Sequence, residues 1–163
     1  MTIPVYLWLT DDGDNPVKGS VEGYCREGSI EITALAHDVS LPVDDASGQV
    51  TATREHAPFI LTKALDASSP HLYQFVSSGK RLKSAELRFY RINYAGQEEE
   101  YFNIFLNNVH LTCLVPFLED IKNKDFEHHE HLEVFEMTYE KITWRYVDGN
   151  IIYCDSWNKQ SVA

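Results

Sequence analysis

Four stretches of the chain carry side chains able to do chemistry. The densest is His128-His129-Glu130-His131. Imidazoles ligate transition metals well, but on an extended chain residues 129 and 131 project to one side and 128 to the other. At most two converge, short of the three or four ligands a zinc site needs. The preceding Asn123-Lys124-Asp125-Phe126-Glu127 is charged and turn-prone, so the segment reads as a solvated loop entering a strand. Asp11-Asp12-Gly13-Asp14-Asn15 offers oxygen donors for calcium but lacks the alternate spacing and distal glutamate of an EF-hand loop; it reads as an ordinary turn. Cys25, Cys113 and Cys154 are far apart and form no Cys-x-x-Cys pair, and Cys25 has no local partner that would make it a nucleophile. Glu98-Glu99-Glu100 supplies paired carboxylates, yet in an acidic chain such a run is a solvated face. No Gly-x-Ser-x-Gly elbow and no glycine-rich phosphate loop is present. The expectation is a protein without an enzymatic active site.

Composition points the same way. The 163 residues include 14 Lys and Arg against 25 Asp and Glu, a formal charge of −11. An acidic surface repels phosphate backbones and anionic headgroups, which disfavours nucleic acid and membrane surfaces as partners. No apolar stretch approaches the ~18–20 residues of a bilayer-spanning helix. Met1-Thr2-Ile3-Pro4-Val5-Tyr6-Leu7-Trp8-Leu9 lacks a basic leader and reads as a first strand rather than a signal peptide. Unpaired, scattered cysteines suit synthesis in a reducing cytoplasm. The length predicts a single domain over residues 1–163.

The elements that must position any site are mostly strands. Ser29-Ile30-Glu31-Ile32-Thr33-Ala34-Leu35 alternates polar and apolar residues, as one half-buried strand should. Residues 38–53 carry Pro42, Asp44, Asp45, Ser47 and Gly48 and read as a long surface loop, a length usually functional or mobile. Phe59-Ile60-Leu61-Thr62 is a strand with Pro58 at its start, where a missing N–H costs no ladder bond. Ser69 as N-cap, Pro70 at the first helical position, Leu72, Phe75 and Val76 as an apolar stripe and Gly79 as terminator predict one helix over 70–78. Strands follow over 85–94 and 98–115, joined at Ala95-Gly96, the second so long that it must bend. Over 132–146 the apolar parity changes between Phe135-Met137-Tyr139 and Ile142-Trp144-Tyr146, which predicts a β-bulge near Glu140-Lys141. Asp148-Gly149 predicts a type I′ hairpin. The sum is a mainly β fold: a small antiparallel β-barrel with one flanking helix and a long extended loop. Nine Tyr, eight Phe and three Trp exceed what such a core readily absorbs, so a ligand cavity or self-association is the expected outlet.

Several segments carry a family resemblance. Ile3-Pro4-Val5-Tyr6-Leu7-Trp8-Leu9, Lys18-Gly19-Ser20-Val21, Arg26-Glu27-Gly28-Ser29-Ile30-Glu31 and Thr53-Arg54-Glu55-His56-Ala57-Pro58-Phe59 with Thr62-Lys63 open the series. Ser68-Ser69-Pro70, Ala85-Glu86-Leu87-Arg88-Phe89-Tyr90, Gly96-Gln97-Glu98-Glu99-Glu100-Tyr101-Phe102, Tyr139-Glu140-Lys141-Ile142-Thr143-Trp144 and Asp155-Ser156-Trp157 continue it. In order along the chain, they resemble the hemolysin-coregulated protein (Hcp) family of type VI secretion.

The resemblance implies a non-enzymatic tube subunit without cofactor, metal or catalytic residue. Hcp proteins form hexameric rings that stack into the inner tube of a contractile apparatus. A sheath surrounds the tube, a VgrG spike trimer caps it, and the lumen can carry small effectors. Such a protein sits in the bacterial cytoplasm before firing and is then secreted to the outside or into a target cell. The family's ring-stacking loop corresponds to Leu41, Pro42, Val43, Asp44, Asp45 and Gln49, and Arg54, His56, Pro58, Lys63 and Trp157 are candidate interface or motif residues. The end of the chain soon after Trp157 leads to the expectation of no fused effector domain. Strand edges near Pro58 and residues 151–157 would be covered by neighbours, and the acidity of a ring makes stacking salt-sensitive. The alternative is a monomeric β-barrel that binds a small ligand, or a metal through residues 128–131.

Overall fold

A computed structural model describes residues 2–128 and 130–158. The strands are β1 (Val5–Asp11), β2 (Pro16–Val17), β3 (Ile30–Ile32), β4 (Ala34–Ala36), β5 (Val39–Ser40), β6 (Glu55–His56) and β7 (Phe59–Ala64). After the helix α1 (Ser69–Ser78) come β8 (Leu82–Ile92), β9 (Glu98–Phe117), β10 (Leu132–Thr138), β11 (Lys141–Tyr146) and β12 (Ile151–Ser156). All pairings are antiparallel.

Two sheets share β9. Its first half lies between β8 and β11, with β1 beyond β8 and β12 beyond β11. Its second half pairs with β10, followed by β7 and β4. The chain turns the corner at Asn107 and Asn108. Ile104 and Leu106 are buried before it, Val109 and Leu111 after it, so the interior changes parity. Asn108 takes φ 53°, a left-handed conformation that asparagine tolerates. The facing chain turns with it: Tyr139 and Ile142 are buried on either side of Glu140, whose N–H donates to Asn107 O at 3.0 Å. The parity change expected near Glu140-Lys141 is therefore a corner made by both strands together. It separates β10 from β11, where the sequence suggested one bulged strand.

The second corner lies at Thr33. The alternation over 29–35 predicts one strand, but the segment divides: β3 pairs with β1, and β4 with β7. Thr33 bonds Thr62 O through both its N–H (2.9 Å) and its hydroxyl (3.2 Å). The ladder is interrupted there, so the sheet is rolled like a barrel without being closed by a continuous strand. The interior is filled by Leu7, Leu9, Ile30, Ile32, Phe59, Leu61, Leu87, Leu106, Phe135 and Met137, all essentially inaccessible.

The helix buries Leu72 and Phe75, with Val76 packed against the core cluster. Gly79 terminates it at φ 65°, its N–H reaching Phe75 O. Its start differs from the expected Ser69 cap. Ser68 is the N-cap, without a side-chain cap bond, because both serine hydroxyls turn elsewhere: Ser68 to Asp66 and Ser69 to Glu133. The 147–150 turn also differs. Positive φ falls at Gly149 (79°) and Asn150 (49°) rather than at Asp148, as a type I′ turn would require, and a four-residue loop links Tyr146 to Ile151.

Residues 38–56 form a paired arm rather than an irregular loop. β5 and β6 pair at its base, Val43 bridges Val50, and Asp44 Oδ1 accepts the Ala46 and Ser47 N–H groups at 2.9 and 2.8 Å. Loop 18–29 is likewise fixed. A Cβ on Gly19 would fall 2.3 Å from Ser29 O, so only glycine fits there. The Arg26 guanidinium sits in the corner made by the perpendicular rings of Tyr6 and Tyr90, 4.7 and 4.0 Å from their centroids, and pairs with Glu98.

Candidate functional site: the projecting arm and its base

The arm exposes apolar side chains in a series: Val39 40%, Leu41 55%, Val43 49% and Val50 53%. Asp44, Asp45 and Gln49 at its tip are exposed, while Pro42 is half-buried. The hydrogen bonds from the Ser47 N–H and hydroxyl hold the Asp44 carboxyl below its ordinary pKa, so the tip is folded and charged.

The base is a buried polar network. Arg54 Nη2 donates to Asp155 Oδ1 at 2.7 Å and to Ser156 O at 3.1 Å, and Arg54 Nε also bonds Asp155. His56 Nε2 lies 2.8 Å from Asp155 Oδ2, and His56 Nδ1 2.6 Å from Tyr139 Oη. His37 Nε2 reaches the same oxygen at 2.8 Å, its ring stacked on Phe59 at 3.9 Å between centroids. Trp157 covers the cluster, its ring 4.9 Å from Tyr139 and 5.8 Å from His56. Arg54 beside it holds the Asp155 carboxyl at about 2, with burial opposing and His56 assisting. Burial, with His56 nearby, lowers His37 to about 4. Desolvation raises Tyr139, so its phenol stays protonated.

Arg54, His56 and Trp157 thus meet at the arm base, and Pro58 immediately precedes β7, a strand paired on both sides. Lys63 lies elsewhere, sealed beneath α1. Its Nζ lies 2.5 Å from Glu133 Oε1, 3.0 Å from Asp66 Oδ1 and 3.1 Å from Ser69 Oγ. The Asp66 carboxyl lies below its ordinary range because the Ser68 hydroxyl and the Lys63 ammonium outweigh its burial. The residues that spacing did not single out are His37, Tyr139 and Asp155. A histidine on either side of the arm was the available signal; their meeting at one phenol 83 and 102 residues away was not readable.

The other chemical candidates do not converge. His128 is exposed beside Glu127, His131 is exposed at the start of β10, and His129 lies outside the described residues. No three His, Cys, Asp or Glu among the described residues could hold a metal ion. Asp11 caps its own turn, accepting from Gly13 and Asn15 N–H at 2.9 and 2.8 Å. Glu98 and Glu99 are paired with Arg26 and Arg91. A concavity of about 600 Å³ beside α1 is lined by opposite charges, Asp11 and Asp12 against Lys80 and Arg81, with no serine, threonine or cysteine in its lining. Among the described residues, no helix is long and apolar enough to cross a membrane.

A rolled, unclosed antiparallel sheet with one flanking helix and an arm tied down at its base makes this a mainly β, barrel-like protein. Its particular kind follows from comparison with known proteins. Residues 6–146 match the family described as type VI secretion system effector, Hcp. The major exported protein of Pseudomonas aeruginosa is 32% identical over 166 residues, covering 96% of each chain. Among solved structures, a variant of Hcp1 from the E. coli EAEC 042 pathovar is 52% identical with a TM-score of 0.86, over 95% of this chain and 99% of that one. Hcp3 of Pseudomonas aeruginosa is 25% identical with a TM-score of 0.77, over 96% and 99%. The chain belongs to the Hcp family of the type VI secretion system.

Proposed function

We propose that this protein is a structural subunit of the type VI secretion inner tube, acting through residues 1–163 as one domain. Six copies close into a ring, rings stack into a tube, and sheath contraction ejects the tube beneath a VgrG spike with small effectors in its lumen. The protein waits in the bacterial cytoplasm and leaves by the apparatus itself, without a catalytic step or cofactor. Its partners are its own copies, the spike, the sheath and the cargo.

The observation that carries this reading is the arm. A segment fixed by a buried network at its base yet apolar and exposed along its length has no intramolecular purpose in what it exposes. Leu41, Pro42, Val43, Asp44, Asp45 and Gln49 then form the stacking contact, a small, loop-borne surface of the kind that associates weakly and on demand. Arg54, His56 and Trp157 support that contact from behind. Ring closure uses strand edges. β12 pairs only with β11 among the described residues and exposes Ile151, Ile152 and Tyr153, and an adjoining subunit covers that edge in a heterologous, closing contact.

Light scattering on the purified protein tests the ring: a hexamer is expected, and a strict monomer at high micromolar concentration refutes it. Replacing residues 43–49 by a short Gly-Ser linker tests the arm. Rings should persist while contraction-dependent release is lost; unimpaired release refutes the stacking role.

A further inference from the structure

The arm leaves the rolled sheet at His37 and returns at His56, and both imidazoles bond the same phenol, at 2.8 and 2.6 Å from Tyr139 Oη. A hydroxyl has one proton to give, so of two ring nitrogens one must accept from it and the other donate to it. The far side of His56 decides which. Its Nε2 faces Asp155 at 2.8 Å, and a carboxylate gripped by Arg54 can only accept, so Nε2 carries the hydrogen. In the neutral imidazole Nδ1 is then bare and accepts from Tyr139 O–H. The Tyr139 oxygen in turn accepts from His37 Nε2–H, proton positions here being assigned from the bonding partners. Donation runs in one direction from the arm's outgoing leg, through Tyr139 and His56, to the C-terminal strand.

We propose that Tyr139 is a positioning residue for the arm: its hydroxyl ties both legs to Asp155, so the arm holds its stacking pose only while β12 is in place. This rests on the reading of the arm as the stacking element. Backbone pairing alone is thin at the base, with Val39 opposite His56, Ser40 opposite Glu55 and Ala57 N–H on Asp38 O. A short two-stranded ribbon is marginal by itself in water. The centre of the side-chain network is dry: Tyr139 is 4% exposed and the His56 side chain is fully buried, while Arg54, Asp155 and His37 at its ends keep partial contact with water. Trp157 closes over Tyr139 and His56, fixed by its N–H to Glu140 O at 2.9 Å. In such surroundings each bond is strengthened and each loss is costly. A neighbour seated on the free edge of β12 would immobilise Asp155 and with it the arm. Coupling of this kind is reciprocal, so closed rings stack and lone subunits do not.

Hydrogen exchange on the full-length protein tests this. Tyr139→Phe should speed exchange over residues 38–57 about thirtyfold, the combined weight of the two buried hydrogen bonds its hydroxyl makes, with β7 and β10 unchanged. Rings should keep their size by light scattering and lose end-to-end stacking under the electron microscope. His37→Asn, at the half-buried end of the network, makes the same test if Tyr139→Phe does not fold. Combined with Asp155→Asn, Tyr139→Phe should speed arm exchange by less than the two single effects together, since the two share the tie through His56. An arm as protected as wild type in Tyr139→Phe and His37→Asn, or additive effects in the pair, overturns the proposal. A loosened arm in rings that still stack leaves the latch standing and overturns the stacking role of the arm.

Discussion

Two buried charge clusters fasten this chain to itself, and they differ in what they join. Under α1, Lys63 and Glu133 are directly opposed across β7 and β10, with Ser69 and Asp66 completing the site. Both charged side chains are wholly inaccessible, and everything they touch lies in the sheet or at the helix start. At the arm base, Arg54 and Asp155 keep some contact with water, and the network spans β6, the β10–β11 corner and β12. The first cluster locks parts that never separate. The second holds a projecting part against the edge where a neighbour is expected. Sealed ion pairs gain little net stability over apolar packing but are costly to break singly; half-sealed ones can be undone without unfolding the rest.

That contrast can be broken at its strong end first. Lys63→Ala or Glu133→Ala leaves a bare buried charge and should cost about 3–5 kcal/mol. Urea unfolding would register it as a large drop in midpoint or as insoluble protein, whereas a change in arm exchange alone would show that the clusters are not distinct. Acid should act next, and on the arm base. His37 resists protonation until about pH 4 in the folded chain but takes its proton near 6.5 when unfolded, so stability should fall as pH drops through that window. Asp155, held at about 2, keeps its contribution there and loses it only as pH falls from its ordinary 3.8 through about 2. Urea midpoints against pH for wild type and His37→Asn check this: the variant should lose slope between pH 6.5 and 4, and an unchanged slope would assign it to other histidines. At the weak end stands the exposed pair of Lys83 with Asp14, with side chains more than half accessible. Lys83→Ala should leave the melting temperature within experimental scatter, and a measurable loss would mean that burial is not what separates the two clusters.

How far the sequence disclosed this depended on local pattern. The helix stripe, Gly79, Pro58 and the bend of β9 follow from spacing and were readable. The parity change over 132–146 was readable too, though not that β9 makes the matching change at Asn108. Lys63 shares its face with Phe59 and Leu61, and Glu133 shares its face with Phe135 and Met137. Opposite charges on two buried faces signal a buried pair, and pairing β7 with β10 would have exposed it. Thr33 hid its corner because a polar residue suits either a solvated strand position or a break. The arm base lay beyond sequence reasoning: Tyr139, His37, His56 and Asp155 become neighbours only through long-range topology.

The shared strand has a mechanical consequence. β9 is 20 residues long, on the order of 60 Å of chain, and it serves both sheets without a loop between them. An axial push on the molecule is therefore carried from one sheet to the other along covalent backbone rather than across hydrogen bonds alone. That backbone bends at Asn107 and Asn108 without breaking, so parting the two sheets would mean straining it and not only losing hydrogen bonds.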